Sequence, residues 1–122
     1  MILMPQQSWN AIEQISVEEL GERLQSGTLH NVQLLDVREP EEVAIAQIAA
    51  FDVFPLSQFA EWAERAISQL DPHAETLVLC HHGIRSAQMC QWLQHQGFTN
   101  VKNVAGGIDA YSRTVDPAIP QY

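Results

Sequence analysis

Strand-like and helix-like stretches alternate along this chain, and that alternation limits it to few folds. Short apolar runs with β character stand at Ala11–Ile15, Val32–Val37, Thr76–Leu79 and Val101–Val104, with a weaker one at Asp52–Phe54. Helical spacing follows each. Ser16 can cap the first helix, and Glu19 three residues on completes a capping box. Val17, Leu20 and Leu24 form its apolar stripe, and Gly27 is its stop. Glu39–Ala46 reads as a short acidic helix with Pro40 in its first turn. Gln58–Leu70 is the clearest helix, with Phe59, Ala63, Ala66 and Leu70 on one face and Asp71 and Pro72 ending it. Ser86–Gln96 turns Met89, Cys90 and Leu93 inward and closes at Gly97, and GGIDAYSR begins a last short helix. The expected fold class is α/β, a mostly parallel central sheet flanked by helices on both faces. Such sheets bind ligands beyond the carboxyl ends of their strands.

Length and charge narrow the functions. The 122 residues suit one domain, 1–122, with irregular ends at about 1–8 and 116–122. Six Lys+Arg against 15 Asp+Glu give a net charge of −9, so neither nucleic acid nor a membrane surface is an expected partner. The apolar runs are too short to span a bilayer, and the first residues lack the basic region and cleavage site of a secretory signal. Two cysteines argue against a disulfide scaffold and for a reducing compartment, with a cytoplasmic location expected.

The chemistry gathers at one corner. CHHGIRS, Cys80 to Ser86, follows the TLVL strand and precedes a helix. A strand-to-helix turn aims successive backbone N–H groups at one point, and the helix N-terminus adds positive potential. Gly83 permits the left-handed backbone such a turn uses, Ser86 suits the N-cap, and Arg85 is one of only six cations. A cysteine in that field is favoured as thiolate, and the same N–H groups would steady an anion on its sulfur.

Plainer readings exist for each residue. Cys80 alone could be a small buried hydrophobe. The three adjacent residues Cys80, His81 and His82 rarely converge on one ion, and no second Cys/His cluster has ligand spacing, so no metal is expected. The two histidines shape the mouth or tune the sulfur. Cys90 falls on an apolar helix face and fills core. His30, His73 and His95 read as surface residues. Asp36 and Arg38, past a strand end, read first as a structural ion pair and second as rim residues.

CHHGIRS resembles the active-site loop of rhodanese-type sulfurtransferases. LLDVREPEE is similar to that family's DVRE segment, FPLSQF to its I-P-L-S stretch, VKNVAGGIDAY to its V-x-x-L-x-G-G-x-x-x-W, and VDPAIPQY to a tail of its single-domain members. The likeness runs from about Leu34 to Tyr122 in the expected order. It implies that Cys80 is the sulfur-carrying nucleophile, that His81, His82, Gly83, Ile84, Arg85 and Ser86 line the anion-binding loop, and that no cofactor is needed. Two departures stand out. AQIAAF, Ala46–Phe51, replaces the family's G-H-I-P-G-A, and Tyr111 replaces a tryptophan. Phe51 and Phe54 are bulkier than usual and would re-pack that side of the pocket.

Loop length separates sulfur transfer from a related chemistry. Related phosphatases place five residues between Cys and Arg, making room for phosphate. Here four lie between Cys80 and Arg85, and Ser86 takes the place of that arginine. Sulfur transfer is therefore expected ahead of phosphatase or arsenate reductase activity. The donor would be a small sulfur-containing anion such as thiosulfate, attracted by Arg85, and the acceptor cyanide or a thiol. The alternative is a sulfur-relay module that takes persulfide from a desulfurase and passes it to a protein acceptor.

Overall fold

The computed structural model describes residues 12–122. Five strands form one parallel sheet: β1 (Glu13–Ile15), β2 (Gln33–Asp36), β3 (Asp52–Val53), β4 (Thr76–Leu79) and β5 (Val101–Val104), in the order β1-β5-β4-β2-β3. Five helices join them: α1 (Val17–Ser26), α2 (Pro40–Ile45), α3 (Phe59–Gln69), α4 (Ile84–His95) and α5 (Gly107–Thr114). The first strand starts at Glu13; Ala11 and the expected irregular N-terminus lie outside the described residues. Among the described residues no helix is long and apolar enough to cross a membrane.

The two-residue period of the strands sorts the core into two layers. Leu34, Leu77, Leu79 and Val104 join Leu20, Ile108 and Tyr111 under α1 and α5. Leu35, Val78, Cys80 and Val101 join Trp62, Ala66, Met89, Cys90 and Leu93 under α3 and α4. Strands apolar on both faces therefore pack helices on both faces, as their composition dictates. The third helix differs from its expected form. Pro55 leads into a 3-10 turn at Leu56–Gln58 before α3 begins, and Trp62, not only the Phe59–Leu70 stripe, faces the core. Its indole N–H donates to the Pro55 carbonyl at 2.7 Å. Phe51 is buried in the first layer, and Phe54 meets Trp62 edge-on at 5.3 Å in the second. Phe51, within the altered segment, and Phe54, after it, are thus both spent on core packing, and Ala46 and Ile48 are buried in the same layer as Phe51.

Away from the carboxyl ends of the strands, Arg23 donates to both oxygens of Glu75 at 2.8 and 2.7 Å, and Lys102 adds a third contact at 2.8 Å. The Arg23 hydrogen bonds hold the Glu75 carboxyl at about 2 against an ordinary 4.5. A carboxyl depressed by folding stabilises the fold above its unfolded value and loses that contribution as pH falls through its folded one. The urea midpoint should therefore drop between pH 4.5 and about 2. In Glu75→Gln the midpoint should be lower at neutral pH and converge on wild type in acid. Parallel curves for the two proteins would remove Glu75 from the acid transition.

Candidate active site

Cys80 follows the last residue of β4, at the carboxyl end of the sheet, and is 1% exposed. The Gly83 N–H donates to its sulfur at 3.0 Å, and Ser86 Oγ lies 3.2 Å from it. Gly83 occupies the N-cap of α4 at φ 96°, and a Cβ there would stand 3.2 Å from the Gly106 nitrogen. The turn thus requires glycine both for its backbone angle and for its space. The carbonyls of Cys80 and His81 accept from Ile108 N–H at 2.9 Å and Asp109 N–H at 3.0 Å, so the first turn of α5 ties the loop from behind.

Ser86 does not cap the helix. Because Gly83 takes the left-handed position, α4 begins at Ile84, two residues before the expected start. Ser86 then falls in the first turn with its side chain inward and fully buried. Its hydroxyl also meets Asn103 Oδ1. Where a phosphatase loop would place a guanidinium, this loop sets a hydroxyl against the sulfur.

Arg85 is not free. Its guanidinium donates to both oxygens of Glu42 at 2.8 and 2.9 Å. This fork holds the Glu42 carboxyl at about 2 and raises the Arg85 guanidinium further above its already high value. Glu42 also accepts from Glu39 N–H at the start of α2 and from the Tyr122 hydroxyl at 3.0 Å. Tyr122 in turn accepts from Arg38 at 2.9 Å and stacks on His81, with ring centroids 3.8 Å apart and planes 5° from parallel. Arg38 and Asp36 form a buried ion pair at 2.7 Å, the structural reading of that pair.

The remaining loop residues form the outer face. His81 lies between Tyr122 and His82, whose ring is 3.9 Å away. Its Nε2 is buried without a hydrogen-bond partner. Burial, and next the neighbouring His82, push the His81 imidazole below its usual range, which favours the neutral ring. His82 is exposed, and Ile84, at 71%, is the most exposed large apolar side chain among the described residues. A ligand atom from each of His81, His82 and Asp109 lies within 4.8 Å of the others, a convergence that adjacent-residue spacing could not reveal. Asp109 is already held by Arg113 at 2.9 Å. Cys90 sits in the core, where burial and then the nearby Cys80 push its thiol up to about 12.

Three partners of the loop were not singled out from the sequence. Glu42 and Tyr122 are exposed-type residues far along the chain from it. Asn103 carried a usable signal, a polar residue within a short buried strand.

Residues 16–114 match the family described as Rhodanese, the rhodanese-like domain. The chain is 50% identical over 112 residues to Rhodanese-like/PpiC domain-containing protein 12, chloroplastic, of Arabidopsis thaliana, covering 91% of this chain and 38% of that protein. It is 30% identical over 102 residues to a sulfurtransferase of Allochromatium vinosum, covering 84% of this chain and 90% of that one. The crystal structure of a rhodanese-related protein from Thermoplasma volcanium superposes with a TM-score of 0.69 at 28% identity, over 90% of this chain and 99% of the other.

Proposed function

Because the chain belongs to the rhodanese-like domain family, we propose that it is a sulfurtransferase carrying sulfane sulfur on Cys80. The observation behind this reading is the Cys80 sulfur seated against the Gly83 amide and the Ser86 hydroxyl at the carboxyl end of the sheet. In the first half-reaction the Cys80 thiolate attacks the outer sulfur of a donor. The new S–S bond forms as the donor's own bond to that sulfur breaks, and the electron pair leaves with the donor, as sulfite when thiosulfate is used. In the second, a nucleophile, cyanide in an assay or a thiol, attacks the terminal sulfur and the Cys80 thiolate departs. Both halves are displacements at sulfur through a covalent intermediate and need no metal or organic cofactor. The loop's four-residue spacing and the hydroxyl beneath the sulfur favour this over phosphate ester or arsenate chemistry. The reading places the chain in a reducing compartment, cytoplasmic in the simplest case; the plant relative is named chloroplastic.

The Arg85–Glu42 fork favours a second reading of the donor. An arginine already paired with a carboxylate offers a dianion such as thiosulfate little net attraction, and the chain carries −9 overall. A persulfide held on a protein or thiol brings less charge, and the exposed Ile84 offers it apolar contact. The chain would then relay sulfur between a donor and an acceptor protein.

Sulfur uptake read by intact mass tests both readings. The protein is exposed separately to thiosulfate and to a low-molecular-weight thiol persulfide, and Glu42→Gln is treated alongside wild type. One sulfur atom should be gained, faster from the persulfide, and Glu42→Gln should raise the thiosulfate rate by about three- to tenfold by freeing Arg85. A thiosulfate rate unchanged in Glu42→Gln would rule out the fork as the barrier. Uptake from neither donor, with turnover of a phosphate ester, would defeat the sulfurtransferase reading.

A further inference from the structure

Beneath Cys80 one proton has two claimants. Ser86 Oγ lies 3.2 Å from the Cys80 sulfur and in short contact with Asn103 Oδ1. A hydroxyl has one proton to donate. Asn103 cannot turn its amide around to help. Its Nδ2 donates to the Gly83 carbonyl at 3.0 Å and to Gln14 Oε1 at 3.1 Å, which fixes Oδ1 toward Ser86. Ser86 is fully buried and Asn103 is 4% exposed, so water does not readily supply a substitute partner.

The two states of the sulfur use this proton differently. As a thiol, Cys80 donates S–H to Ser86 Oγ, and the Ser86 O–H donates to Asn103 Oδ1; each group is satisfied. On ionisation the sulfur loses its proton to solvent and becomes an acceptor only. The Gly83 N–H still serves it. The Ser86 hydroxyl can serve it only by leaving Asn103 Oδ1 buried and unpaired, which carries a penalty. We infer that Asn103 is a positioning residue: by holding the Ser86 hydroxyl it withholds that proton from the Cys80 sulfur and so sets how readily the sulfur reacts. The inference rests on Cys80 being the reacting sulfur, but its test needs no sulfur donor, so the two ideas fail separately.

Other charged and titratable groups surround the sulfur. Arg85, paired with Glu42, lies on the α2 side; His81 and His82, with Tyr122 and Asp109 near them, line the loop; the Asp36–Arg38 pair lies past β2; Cys90 is in the core. These are common to all the variants below. The rate of Cys80 alkylation by iodoacetamide is followed against pH by peptide mass in wild type, Asn103→Ala, Ser86→Ala and the double variant, with folding checked by circular dichroism. Freeing the hydroxyl in Asn103→Ala should move the midpoint down by about one pH unit, roughly tenfold in rate on the acid side. Because Asn103 already withholds the hydroxyl, Ser86→Ala should move it much less, and the double variant should match Ser86→Ala. An Asn103→Ala shift that persists without Ser86, or a Ser86→Ala midpoint displaced as far from wild type as that of Asn103→Ala, overturns the inference. Should Asn103→Ala not fold, Asn103→Ser takes its place and the Ser86→Ala arm stands unchanged.

Discussion

Replacing Cys80 with serine removes sulfur uptake, by at least about 10³-fold, and leaves the fold in place. Serine matches the buried volume closely, so the two core layers and the α5 contacts behind the loop stay as they are. A hydroxyl, however, is a poor nucleophile toward sulfur and cannot carry a persulfide. The companion variant Cys90→Ser should take up one sulfur as wild type does. Cys90 is fully buried with its thiol pushed up to about 12, so its thiolate is a vanishing fraction at neutral pH. Peptide mass after brief iodoacetamide treatment should place the label on Cys80 alone. Sulfur found on Cys90, or full uptake by Cys80→Ser, would move the reaction elsewhere in the chain.

The placement of the two cysteines, one within a helix and one just past a strand, was legible in the sequence. Cys90 recurs with Met89 and Leu93 on a helical period, and Cys80 ends a strand next to Gly83 and a helix start; both patterns are local. The parallel sheet was legible for the same reason, since β2 and β4 are apolar on both faces. What local pattern could not carry was contact between distant segments. Glu42 reaches Arg85 across 43 positions, and Tyr122 reaches Glu42 across 80. Arg85 therefore looked like an unshared cation although a carboxylate already claims it. The Ser86 error has a different origin. A serine before a helical run normally caps it, but Gly83 in a left-handed conformation started the helix earlier and turned the same side chain onto the sulfur. Asn103 was visible as a polar residue in the buried strand β5, yet its meaning depended on where Ser86 pointed.

Gly107→Ala should melt about 6–25 °C below wild type and load sulfur poorly, although Gly107 touches the Cys80 sulfur in no contact described above. The residue sits at φ 65°, and a Cβ built there would lie 2.3 Å from the His81 carbonyl oxygen and 2.5 Å from that of Cys80. Both obstacles are backbone, so no side chain can swing aside. Relief requires α5 to back away from the loop, which breaks the hydrogen bonds from Ile108 and Asp109 that hold those same two carbonyls. The backbone angle costs roughly 1–2 kcal/mol and the overpacking about 1–3 kcal/mol more. Together they make about 2–5 kcal/mol, and each kcal/mol lowers the melting temperature of a chain this size by roughly 3–5 °C. Gly27→Ala is the control. Its φ is also positive, at 74°, but nothing lies within 4 Å of the added carbon, so it should lose only a few degrees and keep full sulfur uptake. The comparison isolates the close approach from the backbone angle. Melting temperatures within about 2 °C of each other for the two variants would mean that the loop does not depend on α5 pressing against it. A stable Gly107→Ala that still takes up sulfur normally would separate the seating of Cys80 from the carbonyl contacts behind it.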